Sequence, residues 1–336
     1  MKNNWLKAVL PHVIAIAALA ILAILYCRPA LDGKVLSQSD VTQWQAMAKE
    51  SLDYKKEHGI TPLWTTSMFG GMPTYQLSAE TPYKYGSFLP VLLTLGLPKP
   101  INVLFLAAAC FYLLCVVLGA RPWIAFIGAV AYTYASYSPI IIGAGHDTKM
   151  LSMAYLPAVL AGIVLIMKKQ YVLGAGITGL FLACLISANH LQVTYYFFLI
   201  LGIIGIAYIV YCIREKEIKH LIISAAVLLG AVLIGVGNNA MLLWTTYEYS
   251  HASNRGGKSE LTPLPTASAE EKANGGLDKG YAFQWSYGKF ETLTLLAPNI
   301  YGGSSGGKLG TRSATYTALT NIGVPVVQAE QMIGRW

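Results

Sequence analysis

The chain has 336 residues, of which 55% are hydrophobic and only 12% charged, about half the charge density of an ordinary soluble domain. That much apolar material exceeds what a globular core uses, which excludes a soluble domain and predicts an all-α integral membrane protein. The formal charge of +8 raises nucleic acid as a partner, but the basic residues sit scattered at the ends of apolar runs rather than along one stripe, so their placement fits membrane orientation and no nucleic acid is expected.

In chain order, Lys2 and Lys7 precede a first apolar run at 8–27, twenty residues that suffice to cross a hydrocarbon core of roughly 30 Å. A cleaved signal peptide is the competing reading, and Cys27-Arg28-Pro29 lacks the small-x-small pattern that cleavage needs. Six further runs follow at about 101–118, 123–142, 150–167, 171–188, 193–213 and 221–243, none containing Asp, Glu, Lys or Arg. With the amino terminus inside, alternation also places Arg121, Lys168, Lys169, Arg214, Lys216, Lys219 and His220 inside, while the short outer loops hold only Lys149. This positive-inside pattern predicts about seven spans in a bundle over 1–243 with a cytoplasmic amino terminus. All five cysteines fall within or at the end of apolar runs, with no disulfide framework or zinc spacing.

The same topology puts a long first loop, 28–99, on the extracytoplasmic face, together with 143–150, the turn at 189–192 and the segment 244–336. Fourteen of the sixteen acidic residues lie there, the exceptions being Glu215 and Glu217. In the first loop, 41–58 reads as an amphipathic helix presenting Val41, Trp44, Ala48 and Leu52, fit to lie in the interface, with Asp40 as its N-cap. A second interfacial helix is expected over 87–97, ended by Pro98 and Pro100. Beyond the last span the helix continues through 244–250, 261–280 reads as a mobile loop, and nothing crosses the membrane again. No internal repeat is visible, so the inverted repeats of many transporters find no support.

The polar island Gly143–Met150 is conspicuous because Asp147 is the only acidic residue between Glu80 and Glu215. It reads either as a reactive cluster at the mouth of a membrane cavity or as a solvated turn. His146 and Asp147 are ordinary ligand types for a divalent metal, the one cofactor the sequence admits, although two adjacent residues are not a site by themselves. Lys149 can neutralise a lipid phosphate or snorkel to headgroups. Arg255 can clamp a phosphate bidentately or remain a solvated loop arginine. His190 is a site member or a hydrogen-bonded helix end; Gln192 and Glu248 are further candidates on the same face. Asp40 is an N-cap or a general base, the latter requiring a carboxylate within hydrogen-bond reach of the proton it removes. His12, inside the first run, is an intramembrane relay or a packed histidine.

Taken together, several stretches resemble the YfhO family of bacterial membrane proteins. They are Gln38-Ser39-Asp40, Trp64 with Phe69-Gly70-Gly71-Met72-Pro73, Gly145-His146-Asp147-Thr148-Lys149, Tyr247-Glu248-Tyr249 leading to Arg255-Gly256-Gly257-Lys258-Ser259-Glu260-Leu261, and Tyr281-Ala282-Phe283-Gln284-Trp285-Ser286-Tyr287-Gly288 with Pro298-Asn299 and Tyr301-Gly302-Gly303. The likeness is to members from Bacteroidetes-type bacteria and extends over nearly the whole chain. It implies a GT-C-type glycosyltransferase in the bacterial inner membrane, a polytopic bundle whose long first outer loop carries interfacial helices and an acidic residue soon after the first span. The implied reaction moves a sugar from a polyprenyl-phosphate donor to a cell-envelope polymer or lipid acceptor, with Asp40 as general base and Lys149, Arg255, His190 or a metal near Asp147 and His146 on the phosphate side. Family members are longer, so the resemblance also implies that 244–336 is incomplete. The rival readings are a transporter or flippase for a lipid-linked or polar substrate, and a non-catalytic envelope assembly subunit.

Overall fold

The structure is a computed structural model that describes residues 4–77, 88–253, 279–284, 286–297, 300–301 and 309–333. The chain forms two units, 1–282 and 283–336. The described residues of the first are mostly helical. Its apolar helices are α1 (Asn4–Tyr26), α4 (Ile101–Val117), α5 (Pro122–Thr133), α6 (Tyr137–Ala144), α7 (Asp147–Met167), α8 (Tyr171–Ser187), α9 (Leu191–Arg214) and α10 (Ile218–Gly237), followed by α11 (Ala240–Ser250). The first loop contributes α2 (Ser39–His58), a two-stranded antiparallel ribbon of β1 (Trp64–Thr65) and β2 (Met72–Pro73), and the short α3 (Leu89–Leu93). The chain is therefore an α-helical membrane protein, as composition predicts.

Among the described residues four helices, α1, α7, α9 and α10, are long and apolar enough to cross a bilayer, and a fifth crossing exists if α5 and α6 count as one span. The predicted span at 123–142 is not straight: α5 and α6 meet at a 44° bend. The restart puts Pro139 in the first turn of α6, where a missing N–H leaves no hydrogen bond unmade. The run expected at 221–243 likewise breaks at Asn238-Asn239, and the buried Asn239 amide donates to the carbonyls of Ala183 and Gly235, each at 3.0 Å. Helices α4 and α8 have 17 residues each, about 25 Å of helix, somewhat short of the hydrocarbon thickness.

These two short helices are the inner ones. α7 packs most extensively against α8 and α4, and its apolar window is 61% buried by protein, against 11% for α9 and 17% for α1. Side chains on α9 such as Ile203 and Ile206 are exposed, as a lipid-facing surface requires. The α7–α8 contact is made by small residues: a Cβ on Gly162 would lie 2.4 Å from Thr178 Oγ1 and 2.6 Å from its backbone nitrogen, and one on Gly174 would lie 2.7 Å from the Gly162 carbonyl. Without a hydrophobic driving force between helices in lipid, such close backbone approach supplies the packing energy.

The turns at opposite ends of the bundle differ in charge. At one end Lys168 Nζ donates to the Val117 carbonyl, Lys169 pairs with Glu217 at 2.8 Å, and His220 bonds to the hydroxyls of Tyr171 (2.7 Å) and Tyr208 (2.6 Å). Nearby in the bundle, His12 Nδ1 pairs with Tyr112 OH at 2.8 Å, which joins α1 to α4.

In the first loop, α2 begins at Ser39 with Gln38, not Asp40, as its N-cap. The helical ladder already starts at the Gln38 carbonyl, which accepts from Thr42 N at 3.0 Å, so Asp40 lies in the first turn with its carboxylate free of capping duty. The predicted stripe of Val41, Trp44, Ala48 and Leu52 is buried or half-buried, and Trp44 Nε1 donates to the Leu77 carbonyl at 2.6 Å. On the other face, Glu50 fastens the ribbon: Thr65 Oγ1, Thr66 N, Thr66 Oγ1 and Ser67 N all donate to its carboxylate. The second interfacial helix shrinks from the expected 87–97 to α3, five residues beginning just before Pro90; residue 87 lies outside the described residues, as does nearly all of the loop expected over 261–280.

The second unit holds short elements. A 3₁₀ turn spans Glu291–Leu295, and α13 (Ala314–Asn321) is capped by Ser313 Oγ, which accepts from Tyr316 N at 3.2 Å. It is followed by α14 (Val326–Ile333), which buries Ala329 and Ile333; α12 (Lys279–Phe283) lies at the boundary of the units. None of these described helices is long enough to cross a membrane.

Replacing Gly162 by Ala drives a methyl group into the Thr178 backbone and should cost ~1–3 kcal/mol, as overpacking does; the thermal midpoint of the detergent-solubilised protein should fall, and an unchanged midpoint would show that α8 moves aside freely. For Glu50, the Thr65 hydroxyl holds the carboxyl below its usual range, with the Thr66 and Ser67 donors adding to this against opposing desolvation. A lowered carboxyl contributes stability above the ordinary carboxylate range and loses it as pH falls through the lowered value. Glu50→Gln should accordingly speed amide exchange at Thr66 and Ser67 near neutral pH and flatten its acid dependence, and equal exchange in both proteins would remove Glu50 as the fastener.

Candidate functional site

The polar island is a junction between two helices. α6 ends at Gly145, whose φ of +99° is readily adopted only by glycine. The N–H groups of Gly145 and His146 turn back to the carbonyls of Ile142 (3.1 Å) and Ile141 (3.0 Å), a closure that satisfies the last carbonyls of α6. His146 then N-caps α7, and Asp147 occupies its first turn, where a negative charge is favoured by the helix dipole.

This junction abuts the start of α2. A Cβ on Gly145 would stand 3.2 Å from the Cβ atoms of both Asp40 and Gln38 and 3.3 Å from Val41 Cγ2. Gln38 Nε2 also donates to the Ile142 carbonyl. Gly145 is thus favoured by its backbone angle and by the tight contact, and the same junction has Asp40 Oδ2 3.6 Å from His146 Nε2. Both side chains remain about half exposed, at 46% and 49%, so the pair is open to a reactant.

The neighbouring groups are held differently. Lys99, at the foot of α4, pairs with Asp147 at 2.6 Å, and the Asp147 side chain is only 27% exposed. Thr148 Oγ1 lies 3.4 Å from His190 Nδ1 at the start of α9, and Lys149 Nζ sits 5.1 Å above the ring of Tyr137. Burial pushes the His190 imidazole below its ordinary value, and the charges of Lys149 and His146 add to this. A cavity of about 530 Å³ adjoins the cluster, sharing Ile142 and Gly143 with the junction and lined otherwise by Tyr26, Leu36 and Leu104, with Lys34 as its cation.

Of the residues expected from the sequence, Asp40, His146, Asp147, Lys149 and His190 come together. Gln192 donates instead to Tyr196 OH at 3.0 Å along α9. Glu248, on α11, acts on Tyr75 of the first loop, whose phenol is raised by burial first and by this carboxylate second; Gln76 joins the same helix through Thr246 at 3.4 Å. Arg255 lies outside the described residues. Among the described residues no group of three or more His, Cys, Asp or Glu is placed to hold a metal, and the carboxylate of Asp147 is engaged by Lys99. Lys99 and Gln38 escaped sequence reasoning. The only signal for Lys99 was its position just before the run at 101–118, at the same predicted outer end as the island, and nothing marked Gln38 as a side chain reaching across 104 residues.

Comparison with family models, with curated proteins and with solved structures finds no match for this chain.

Because the folded protein favours neutral His190, its contribution to stability is complete above roughly pH 6.5 and declines as pH falls through the lower folded value. An NMR titration should give His190 a midpoint below that of a free histidine, and Lys149→Gln should raise it by removing a repelling charge. A midpoint unmoved by Lys149→Gln would mean that the two groups do not interact across the junction.

Proposed function

We propose that the protein is a membrane glycosyltransferase of the YfhO kind, with GT-C-type architecture, that moves a sugar from a polyprenyl-phosphate donor to an extracytoplasmic cell-envelope acceptor. The observation that carries this reading is the half-exposed Asp40 carboxylate, 3.6 Å from His146, beside an apolar cavity at the mouth of the bundle. A carboxylate free of any tight cation is suited to take a proton, and an adjoining apolar cavity suits a lipid-linked substrate. In the proposed step the acceptor hydroxyl gives its proton to Asp40, its oxygen bonds to the anomeric carbon, and the bond from that carbon to the phosphate oxygen breaks. The electron pair leaves on the lipid phosphate. Lys149 and His190, at the starts of α7 and α9, with Lys34 in the cavity, are the groups assigned to the phosphate charge, and electrostatic stabilisation of this kind is the largest contribution in many enzymes.

The proposal includes seven crossings, with α5 and α6 as one bent span and the short α4 and α8 crossing inside the bundle, where protein rather than lipid surrounds them. Its orientation rests on the basic turns at 121, 168–169 and 214–219, which belong in the cytoplasm by the positive-inside rule and leave Asp40 outside.

Proteoliposomes given a labelled polyprenyl-phosphate sugar and an envelope acceptor provide the test. Asp40→Asn should lower sugar transfer roughly 100- to 10,000-fold, the usual contribution of general acid–base catalysis, without changing expression, and Lys149→Ala should weaken donor use more than it alters acceptor preference. Full transfer by Asp40→Asn would eliminate the base, and label crossing the membrane without a glycosylated product would favour transport.

A further inference from the structure

At the basic end of the bundle a second feature stands apart from the Asp40 cluster. An open groove of about 870 Å³ runs between α1 and the start of α5, floored by Ile14, Ala18 and Phe126 and flanked by Trp123, with Lys7 and Arg121 also among its lining residues. Ile14 and Trp123 are 59% and 61% exposed, so this floor faces outward rather than into the core. At this end Lys168 is spent on the Val117 carbonyl and Lys169 on Glu217, whereas among the described residues neither Lys7 nor Arg121 has an ion-pair partner, and these two alone of the unpaired cations there line the groove.

We infer that this groove is a binding site for an anionic diacyl phospholipid, whose phosphate is held by Lys7 and Arg121 while an acyl chain lies along Ile14, Ala18 and Phe126. The chemistry of the lining selects that occupant. A guanidinium offers a phosphate two parallel donors and an ammonium adds a compact charge. The floor beyond them is apolar, so a soluble phosphate would leave most of the groove unfilled, and a zwitterionic lipid would bring its own headgroup ammonium against the two cations. Trp123 beside the charged mouth marks the headgroup level, where indole rings concentrate. Basic pockets between helices near the membrane surface bind anionic headgroups for this reason. The site is independent of sugar transfer and uses none of the residues assigned to it.

Native mass spectrometry of the full chain in detergent, with equal amounts of phosphatidylglycerol and phosphatidylethanolamine, tests the inference. The expected result is retention of phosphatidylglycerol with a preference of roughly tenfold or more, two basic side chains acting together. The Lys7→Gln/Arg121→Gln double variant should lose that preference. Lys216→Gln/Lys219→Gln, which removes two charges at the same end but outside the groove, should keep it. Ala18→Phe, which fills the floor and leaves both cations, should also release the lipid. Equal binding of the two lipids by the unmodified protein, a preference that survives the double variant, or one that Ala18→Phe leaves intact would overturn the proposal, the last by showing attraction of headgroups to bulk charge alone.

Discussion

The close approach of α7 to α8 is the constraint on which the rest of the bundle depends. Gly162 and Gly174 bring the two backbones so near that neither position has room for a side chain, and α4 packs on α7 as well. These three helices form the protein-enclosed centre, while α1, α9 and α10 turn most of their surface outward. In a bilayer the outward helices gain nothing from burying apolar area, since lipid is as apolar as leucine, so shape complementarity at the centre has to hold the assembly.

The same helix carries the candidate site at its first turn. α7 is anchored along its length by the core, which fixes His146, Asp147, Thr148 and Lys149 with respect to the ends of α4 and α9. Lys99 reaches Asp147 from one side and His190 reaches Thr148 from the other. Asp40 arrives from a loop, but its helix is tied down at several points: Gln38 to the end of α6, Trp44 to Leu77 and Glu50 to the ribbon. A site built from rigid helix ends and one pinned loop helix is preorganised by packing that lies well away from it.

Much of this was legible in the sequence because a membrane protein writes its helices as apolar runs. Each of the seven runs corresponds to helix, and the island between the third and fourth proved to be a true helix junction. The errors have a common source: hydropathy measures apolarity and does not see backbone direction. It ran through the bend at Tyr134–Ser136, where Pro139 needs a new first turn, and through the break at Asn239, whose amide is satisfied by carbonyls of two helices. Similarly, Asp40 looked like a cap because aspartate favours that position, while the helix in fact starts one residue before it. Convergence of Asp40, His146 and His190 could be guessed only from topology, as all stand at the same end of the runs. The pairing of Lys99 with Asp147 was beyond reach, since it depends on the relative rotation of α4 and α7, which no period in either run encodes.

That pairing decides between the two carboxylates. Asp147, the lone acid in a long apolar region, was the more conspicuous residue, yet Lys99 pairs with it at 2.6 Å and its side chain is only 27% exposed. A proton taken up there would cost the ion pair. Asp40 faces a histidine at 3.6 Å, too long for a strong hydrogen bond, and keeps nearly half its side chain exposed. Asp40 is therefore the less tightly engaged of the two carboxylates, which is why the proposed reaction assigns it the proton. Under the proposed reaction, the island is the frame around the site and the loop brings the carboxylate assigned to the proton.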